Sequence, residues 1–547
     1  MSIRISGLVS GLDTDSMIEE LVSGYEAKKN QVVKKQKSLE YKQDAWKSLN
    51  SDIYSFYTSS LSSMRLEGSY NTKTTTVSDS TKATVTASNS AAYGTMELSI
   101  TALAKSGYLT GADLSNLYDD TKFTSSSTLS EFGIDGTVTL EINGESVTAE
   151  STDTISTFLS NLKAAGISAG FDETNQRFYL SSTESGEEND FSLIAADSDS
   201  LSALKAMGLF SVSQKDAEAY AALGEDWATE ISDNYAAYTA AVKSGDTETA
   251  AAYLSELGID DGSGTGAVRV AGSNAEIWLN GAKYESDTNV FKVGELTITA
   301  NAVTAADEPV SITTAVDTDA IYNKIKTFLS AYNKLITQLE SLYGADDAGD
   351  YEPLTDDEES EMTDNQIEKW EKKLTDAALS GDDTLSSVIS AIKSVMSKSV
   401  SINGTSYTWS NFGIATLGYF NASEFEKGNY HIDGDADDSY TSGNTDKLKA
   451  WIESDPDTVV SFMTQITSNL YSTLTEKMKS TSLSSAYTIY NDKSMKSQYD
   501  DYDDEIEDWE EKIEEMTEKY VKQFAAMESA LAALQNSSSS LSSLLSS

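Results

Sequence analysis

The 547-residue chain has no cysteine, three prolines, one histidine and fewer than half as many basic residues as acidic ones. Each shortage excludes something. Without cysteine there is no disulfide, no thiolate nucleophile and no cysteine-held metal. This fits an intracellular or an exported chain equally. The lone histidine, His431, rules out an HExxH metalloprotease helix. A serine triad needs only one histidine, but no Gly-x-Ser-x-Gly elbow accompanies it. Lys plus Arg total 39 against 88 Asp plus Glu, for a net charge of −49. Such a surface repels phosphate backbones and anionic lipid, so no nucleic-acid partner is expected. No apolar run reaches membrane-spanning length, so no membrane insertion is expected either. The opening MSIRISGLVSGL, with one Arg and no long apolar run, does not read as a cleaved signal peptide. There is no Walker loop and no dinucleotide fingerprint. Asp433, Asp435 and Asp437 have calcium-loop spacing, but the sixth position is Asp438 rather than glycine and the twelfth is Asn444. The expectation is therefore no enzyme, no catalytic residue, no cofactor and no metal.

What is present lies first at the two ends. At 39% hydrophobic the chain can bury real cores, and its length allows about three to five domains. Near the N-terminus Asp13, Asp15 and Ser16 are candidate helix caps, and Ser16 with Glu19 fits a capping box. Beyond them Ile18, Tyr25, Val32, Leu39, Trp46 and Ile53 recur every seven residues. Leu21, Leu49 and Phe56 take the companion position three residues on, with Lys28, Lys35 and Lys42 between. Such a repeat predicts a long helix with one continuous seam, although the lysines leave a plain bundle helix as the alternative. At the other end Tyr499, Ile506, Ile513, Tyr520, Met527, Leu534 and Leu541 form one series. Met495, Tyr502, Trp509, Met516, Ala530 and Leu544 form a second, broken by Gln523 and Ser537. No proline and no glycine interrupts residues 487–547. A helix of roughly forty residues, near 60 Å long, is predicted there.

The charges of the two ends are complementary. Seven lysines in 28–47 stand against two acids, and twelve acids in 500–518 against one lysine. An antiparallel pair with Leu39 near Ile513 would set one run against the other. The alternative is two unrelated solvated helix faces.

Between the ends the texture alternates. GTMELSITAL and similar runs read as strands. Three Asn-Gly pairs, Asn143-Gly144, Asn280-Gly281 and Asn403-Gly404, mark tight hairpin turns. Residues 136–186 read as hairpin, short helix (153–165), hairpin. Residues 214–257, rich in Ala, Glu and Tyr, read as helices among strands. Helical spacing returns with Ile321, Ile325, Phe328, Leu329, Tyr332, Leu335, Ile336 and Leu339. Asp455 and Pro456 start a further helix. The fold class predicted is α+β multidomain: long paired N- and C-terminal helices, coiled-coil or helical leg in character, with nested β-rich head domains. Four parts follow. Residues 1–35 with 520–547 form a terminal helical segment, with 1–15 and 535–547 loose in the free protein. Residues 36–70 with 317–519 form a helical leg with a β-hairpin insertion near 400–435. Residues 71–132 with 266–316 form one head domain, and 133–265 a second.

These blocks carry a resemblance. SGLVSGLDTDSMIEELV, through Ser6, Gly7, Leu8, Ser10, Gly11, Leu12 and Asp13, resembles the opening of the bacterial flagellar filament-capping, or hook-associated protein 2, family. The 136–186 unit is similar to the small repeat of flagellins and hook-associated proteins. DTDAIYNKIKTFLSAYNKLI from Asp317, the block at 351–373 and that at 520–545 are similar to the family's C-terminal region. Residues 187–260 match nothing in it. The resemblance implies a homo-oligomeric ring, a pentamer, at the distal tip of an extracellular filament, where it promotes folding and insertion of exported flagellin and prevents its loss. It implies leg helices along the two seams and contact with flagellin or a neighbouring subunit at Leu8, Leu12, Leu541, Leu544 and Leu545. It also implies passage through the flagellar type III apparatus without a cleaved signal, and an export chaperone on the C-terminal helix. A chain that threads a channel unfolded gains from lacking disulfides and slow prolines. Another axial protein, such as a flagellin or hook–filament junction protein, and an adhesin binding host mucin or glycans through its head domains are the alternatives.

Overall fold

The computed structural model describes residues 11–119, 121–418 and 420–545, with side chains as far as Ser542. The chain divides into two compact units. One takes both ends, up to Asn71 and from Asp317; the other is Thr72–Val316.

In the first unit the N-terminal helix, Thr14–Ser55, runs into one π-helical stretch, Phe56–Leu61. A π stretch turns each residue less far round the axis than an α-helix does, so consecutive side chains stay closer to one face. Here the consecutive rings of Phe56 and Tyr57 are both buried. Phe56 meets Phe328, with ring centres 6.0 Å apart, and Tyr57 stacks on Tyr471 at 4.3 Å. These partners stand on helices Thr318–Tyr343 and Pro456–Lys477, which with Asp383–Met396 make a bundle. The helical spacing read from Ile321 to Leu339 is the buried face of Thr318–Tyr343. Asp317 caps that helix and Asp455 caps the next, ahead of Pro456. Two small hairpin-like pairs, Val400–Ile402 with Thr405–Tyr407 and Ile414–Thr416 with Tyr430–Ile432, form the insertion near 400–435. Trp409 and Phe412 pack edge-on or tilted against Phe462 and so tie this insertion to the bundle.

The second unit has two apolar cores. One lies in a five-stranded antiparallel sheet, ordered Lys73–Val77, Val310–Val316, Gly94–Ala102, Ala275–Leu279, Ala282–Ser286, and a three-stranded sheet built on Leu296–Ala300. Leu98, Ile100, Ile277, Ile298 and Ile312 are its centre. The other core begins at Leu109, well before residue 133, where sequence reading put the second head domain. Strand Tyr108–Thr110 pairs with Arg177–Ser182, and Phe123 stacks on Phe132 with centres 4.2 Å apart, which draws residues 109–132 into this core. The expected hairpins and helix are present as Thr137–Ile142 with Glu145–Glu150, Ile155–Ala164, and Ile167–Asp172 with Arg177–Ser182. They do not share one sheet: the first hairpin pairs with Leu193–Ala195, the second with Tyr108–Thr110.

Residues 187–260 join the second core through a buried charge cluster that sequence reading did not find. Arg269 lies 2.9 Å from Asp190 and 3.8 Å from Asp216, all three side chains almost wholly enclosed. Asp216 also accepts from the backbone N–H groups of Leu193 and Ser213. Burial pushes its carboxyl up, and Arg269 acts against that. A buried ionic group survives only when paired and hydrogen-bonded, as here. Ser213 caps helix Gln214–Leu223 and Asp216 completes its capping box, so the cluster ties that helix to the sheet; Asp226–Ser244 packs on it in turn, and Thr247–Leu254 on Asp226–Ser244.

Candidate functional site: the paired terminal helices

Asp13, rather than Ser16, opens the N-terminal helix. Its carboxylate accepts from the Ser16 backbone N–H at 3.1 Å and the Ser16 hydroxyl at 2.8 Å. Those two bonds hold its carboxyl below the usual range. The helix then lies against Asp492–Leu545, the C-terminal helix, in antiparallel sense.

The contacts between them fix the register. Lys29 Nζ is 3.6 Å from Glu510, and Lys28 sits 5.2 Å from the Trp509 ring centre. Gln36 Nε2 donates to Asp503 at 3.3 Å, and Gln43 Nε2 to the Met495 carbonyl at 3.1 Å. Trp46 stacks on Tyr490, centres 5.4 Å apart. Asn50 donates to the Tyr487 carbonyl and accepts from the Ile489 N–H. Leu39 therefore stands opposite the stretch around Tyr499, nearly two heptads from the Ile513 partner expected of it. A seven-residue pattern repeats under a shift of seven, so it sets which face pairs without setting how far along. The anchors at Trp46 and Asn50, beside the turn into the bundle, set the register.

Those anchors also reveal what the sequence reading missed. Lys29, Gln36, Gln43 and Asn50 are themselves seven apart, four residues after Tyr25, Val32, Leu39 and Trp46. Each meets the C-terminal helix or the turn that leads into it. With Val22, which is buried while Leu21 is 46% exposed, they form the companion row. The polar residues were the signal, and a search for apolar side chains passes over them. Polar groups in a helical seam specify register at some cost in stability.

The seam residues are placed as follows. Ile18, Val32, Leu39, Trp46 and Ile53 are buried and Tyr25 is half-buried. Across from them Met516 is buried, and Tyr499, Ile506, Trp509, Ile513, Tyr520 and Met527 are half-buried. Leu534 is 65% exposed. Of the terminal leucines, Leu12 and Leu541 are exposed; Leu8 lies outside the described residues, as do the side chains of Leu544 and Leu545. Equal rise in the two helices brings Thr14 level with about residue 525, so the last turns of the C-terminal helix continue past it. Leu531, Leu534 and Leu541 are exposed on those turns. The helix runs unbroken to Leu545, where sequence reading expected 535–547 to be loose; residues 1–10 and 546–547 of that expectation are outside the described residues. Once a helix is nucleated each added residue gains a hydrogen bond, so a serine-rich tail can propagate it.

The expected match of basic run to acidic run is mostly not made between these two helices. Among the described residues only Lys29 bridges them as an ion pair. Lys34 binds Glu358 at 2.8 Å, Lys37 binds Glu359 at 3.0 Å and the Leu354 carbonyl at 2.7 Å, and Lys42 binds Asp382 at 2.6 Å. The segment 352–382 takes the lysines instead. Glu358 is drawn below its usual range first by Lys34. Asp382 caps helix Asp383–Met396 as well; burial pushes its carboxyl up, but Lys42 and the Leu385 N–H outweigh that and leave it lowered.

The aspartates with calcium-loop spacing hold a lysine. Lys326 Nζ lies 2.6 Å from both Asp435 and Asp437, and Asp433 accepts from Asn444. His431 Nδ1 is 2.6 Å from Asp438. Among the described residues no three His, Cys, Asp or Glu side chains are grouped to hold a metal ion.

Against this geometry the comparisons with known proteins are specific. The family model described as Flagellar hook-associated protein 2 N-terminus matches residues 10–107, and that described as Flagellar hook-associated protein 2 C-terminus matches residues 272–536. The chain belongs to the flagellar hook-associated protein 2 family. The hook-associated protein 2 of Halalkalibacterium halodurans is 25% identical over 488 residues, 84% of this chain and 78% of that one. That of Escherichia coli K12 is 25% identical over 518 residues, 92% of this chain and 90% of that one. Among solved structures, the D1-D2-D3 domains of the flagellar cap protein FliD from Escherichia coli share 20% identity with a TM-score of 0.43, covering 84% of this chain and 99% of that one. The two hook-associated protein 2 models together span the paired helices and the first core of the middle unit. Between them they leave out 108–271, the second core with its Arg269 cluster. Among the described residues no helix is long and apolar enough to cross a membrane.

Proposed function

We propose that this chain is a flagellar filament cap: a homo-oligomeric ring, five subunits in this reading, seated on the distal end of the filament. There it promotes folding and insertion of exported flagellin and prevents loss of subunits. Family membership by both ends of the chain supports the cap over a flagellin or a hook–filament junction protein. The observation that carries the proposal is the unequal reach of the terminal helices. The C-terminal one presents Leu531, Leu534 and Leu541 beyond the start of its partner. Apolar side chains in a row on a solvated helix are costly unless a neighbour covers them. In this reading the covering neighbour is flagellin or the next subunit, and Leu8, Leu12, Leu541, Leu544 and Leu545 are the contacts. Before assembly an export chaperone covers the same helix.

Cells lacking this protein should secrete unpolymerised flagellin and grow no filament, and restoring the gene should rebuild it. Normal filaments in its absence would overturn the proposal. Removing residues 530–547 should impair filament growth while leaving the two compact units folded.

A further inference from the structure

The three Asn-Gly turns form an internal comparison. All three have the two positive φ angles of a tight hairpin turn: 51° and 84° at Asn143-Gly144, 49° and 79° at Asn280-Gly281, 50° and 82° at Asn403-Gly404. All three asparagines are exposed. What differs is the side chain's tether. Asn143 Oδ1 accepts from the Ser192 backbone N–H at 2.9 Å, and its own N–H donates back to Ser192. Asn280 Oδ1 accepts from the Glu97 N–H at 2.9 Å, and its N–H donates to the Glu97 carbonyl. Each thus extends the pairing of its strand onto a third strand or the chain leading into it. Among the described residues the Val400–Ile402 and Thr405–Tyr407 hairpin is a two-stranded sheet with no third strand beside it. No hydrogen bond holds the Asn403 side chain among the described residues. Its strands are three residues each, against six and five in the other two hairpins.

We propose that Asn403 is a site of spontaneous covalent modification, converting to a mixture of aspartate and isoaspartate ahead of the other two. The Gly404 backbone nitrogen, having lost its proton to solvent, attacks Asn403 Cγ. A carbon–nitrogen bond forms, the side-chain nitrogen leaves as ammonia, and a five-membered imide remains. Water then opens one of its two carbonyls, giving aspartate or isoaspartate. Water is the only co-reactant, and nothing is oxidised or reduced. Glycine at the second position leaves the attacking nitrogen unshielded; no atom lies within 4 Å of where a Cβ would stand on Gly404. Ring closure requires the backbone and side chain at Asn403 to leave the hairpin-turn conformation, and local opening is easiest where few residues are paired. At Asn143 and Asn280 a backbone N–H also holds Oδ1 toward the neighbouring strand and away from the attacking nitrogen. Isoaspartate adds one carbon to the backbone path and so breaks the register that places Val400 and Ile402 inward.

The test is peptide mapping of the folded, full-length protein after prolonged incubation at mildly alkaline pH in heavy-oxygen water. The label incorporated at each of the three asparagines would be quantified, together with isoaspartate. Position 403 should convert several times faster than 143 or 280. In denaturant the three rates should converge, because only the fold distinguishes them. Equal rates in the folded protein, or a faster 143 or 280, overturn the proposal. So does an ordering that persists unchanged in denaturant, since that would trace to neighbouring residues rather than to the missing tether.

Discussion

Along the N-terminal helix Trp46, Leu49 and Ile53 are 0%, 1% and 0% exposed, while on the described part of the C-terminal helix Met516, at 8%, is the one buried side chain. The more regular heptad pattern belongs to the C-terminal helix, so regularity does not measure burial. The N-terminal helix is flanked on more than one side. It has the C-terminal helix along one face, the segment 352–382 on its lysines, and the bundle beyond Ile53. The C-terminal helix packs chiefly on the N-terminal one. A repeat tells which residues share a stripe; the number of neighbours decides how dry that stripe becomes.

The sharpest break of this comparison is a pair of substitutions, one on each helix. Trp46→Ala removes a fully enclosed ring and its stack on Tyr490, and should cost about 3–5 kcal/mol in urea unfolding of the whole chain. Ile513→Ala removes a half-buried side chain and should cost only about 1 kcal/mol. Equal costs would mean that the C-terminal helix is as well covered in solution as its partner.

Next in size is Asp382→Ala, which should cost about 2 kcal/mol by removing a helix cap together with the Lys42 pair. Its pH dependence has a definite sign. The folded carboxyl sits below the ordinary value, so its contribution is fully present above that value, near pH 4, and is lost as pH falls through the lowered one. On acid titration of the urea midpoint the native chain should therefore converge on the variant. A gap that stays constant down to strongly acid pH would assign the effect to packing instead. Smaller again is Asn50→Ala, at about 1 kcal/mol, since two exchanged hydrogen bonds are lost at a partly solvated site. Its more telling readout is register: disulfide cross-linking of cysteines placed at 36 and 503 should become less selective against the pair 36 and 510.

Much of the architecture could be read from the sequence where a local rule sufficed. The face carrying Ile18 to Ile53, the helix opened by Asp455 and Pro456, and the three Asn-Gly turns all depend on residues close in sequence. What could not be read depends on a choice among distant, equivalent partners. The heptads admit several registers differing by seven, and the choice rests on Asn50 and Trp46 meeting the turn before the C-terminal helix and on Gln43 meeting its first turn. Lys34, Lys37 and Lys42 had many acids to choose from in a chain of net charge −49, and took those at 352–382. Arg269 on a three-residue strand gave no sign that it would be enclosed with Asp190 and Asp216. The early start of the second core rests on Phe123 and Phe132, which stand in no periodic pattern.

The smallest expected change in stability is the one with the most to say about function. Leu534 is 65% exposed, so Leu534→Ala should leave the urea midpoint of the isolated chain within about 0.5 kcal/mol of native. If the last turns of the C-terminal helix are covered only on assembly, the same substitution should still slow filament growth in motile cells, because burial of a leucine against a neighbour gains about 1.5–3 kcal/mol at each subunit contact. The two readouts must separate for the contrast between the helices to have a functional meaning. A loss of stability as large as that of Ile513→Ala would place Leu534 in the interior of the lone protein. Unchanged filament growth would move the contact to another face of the molecule.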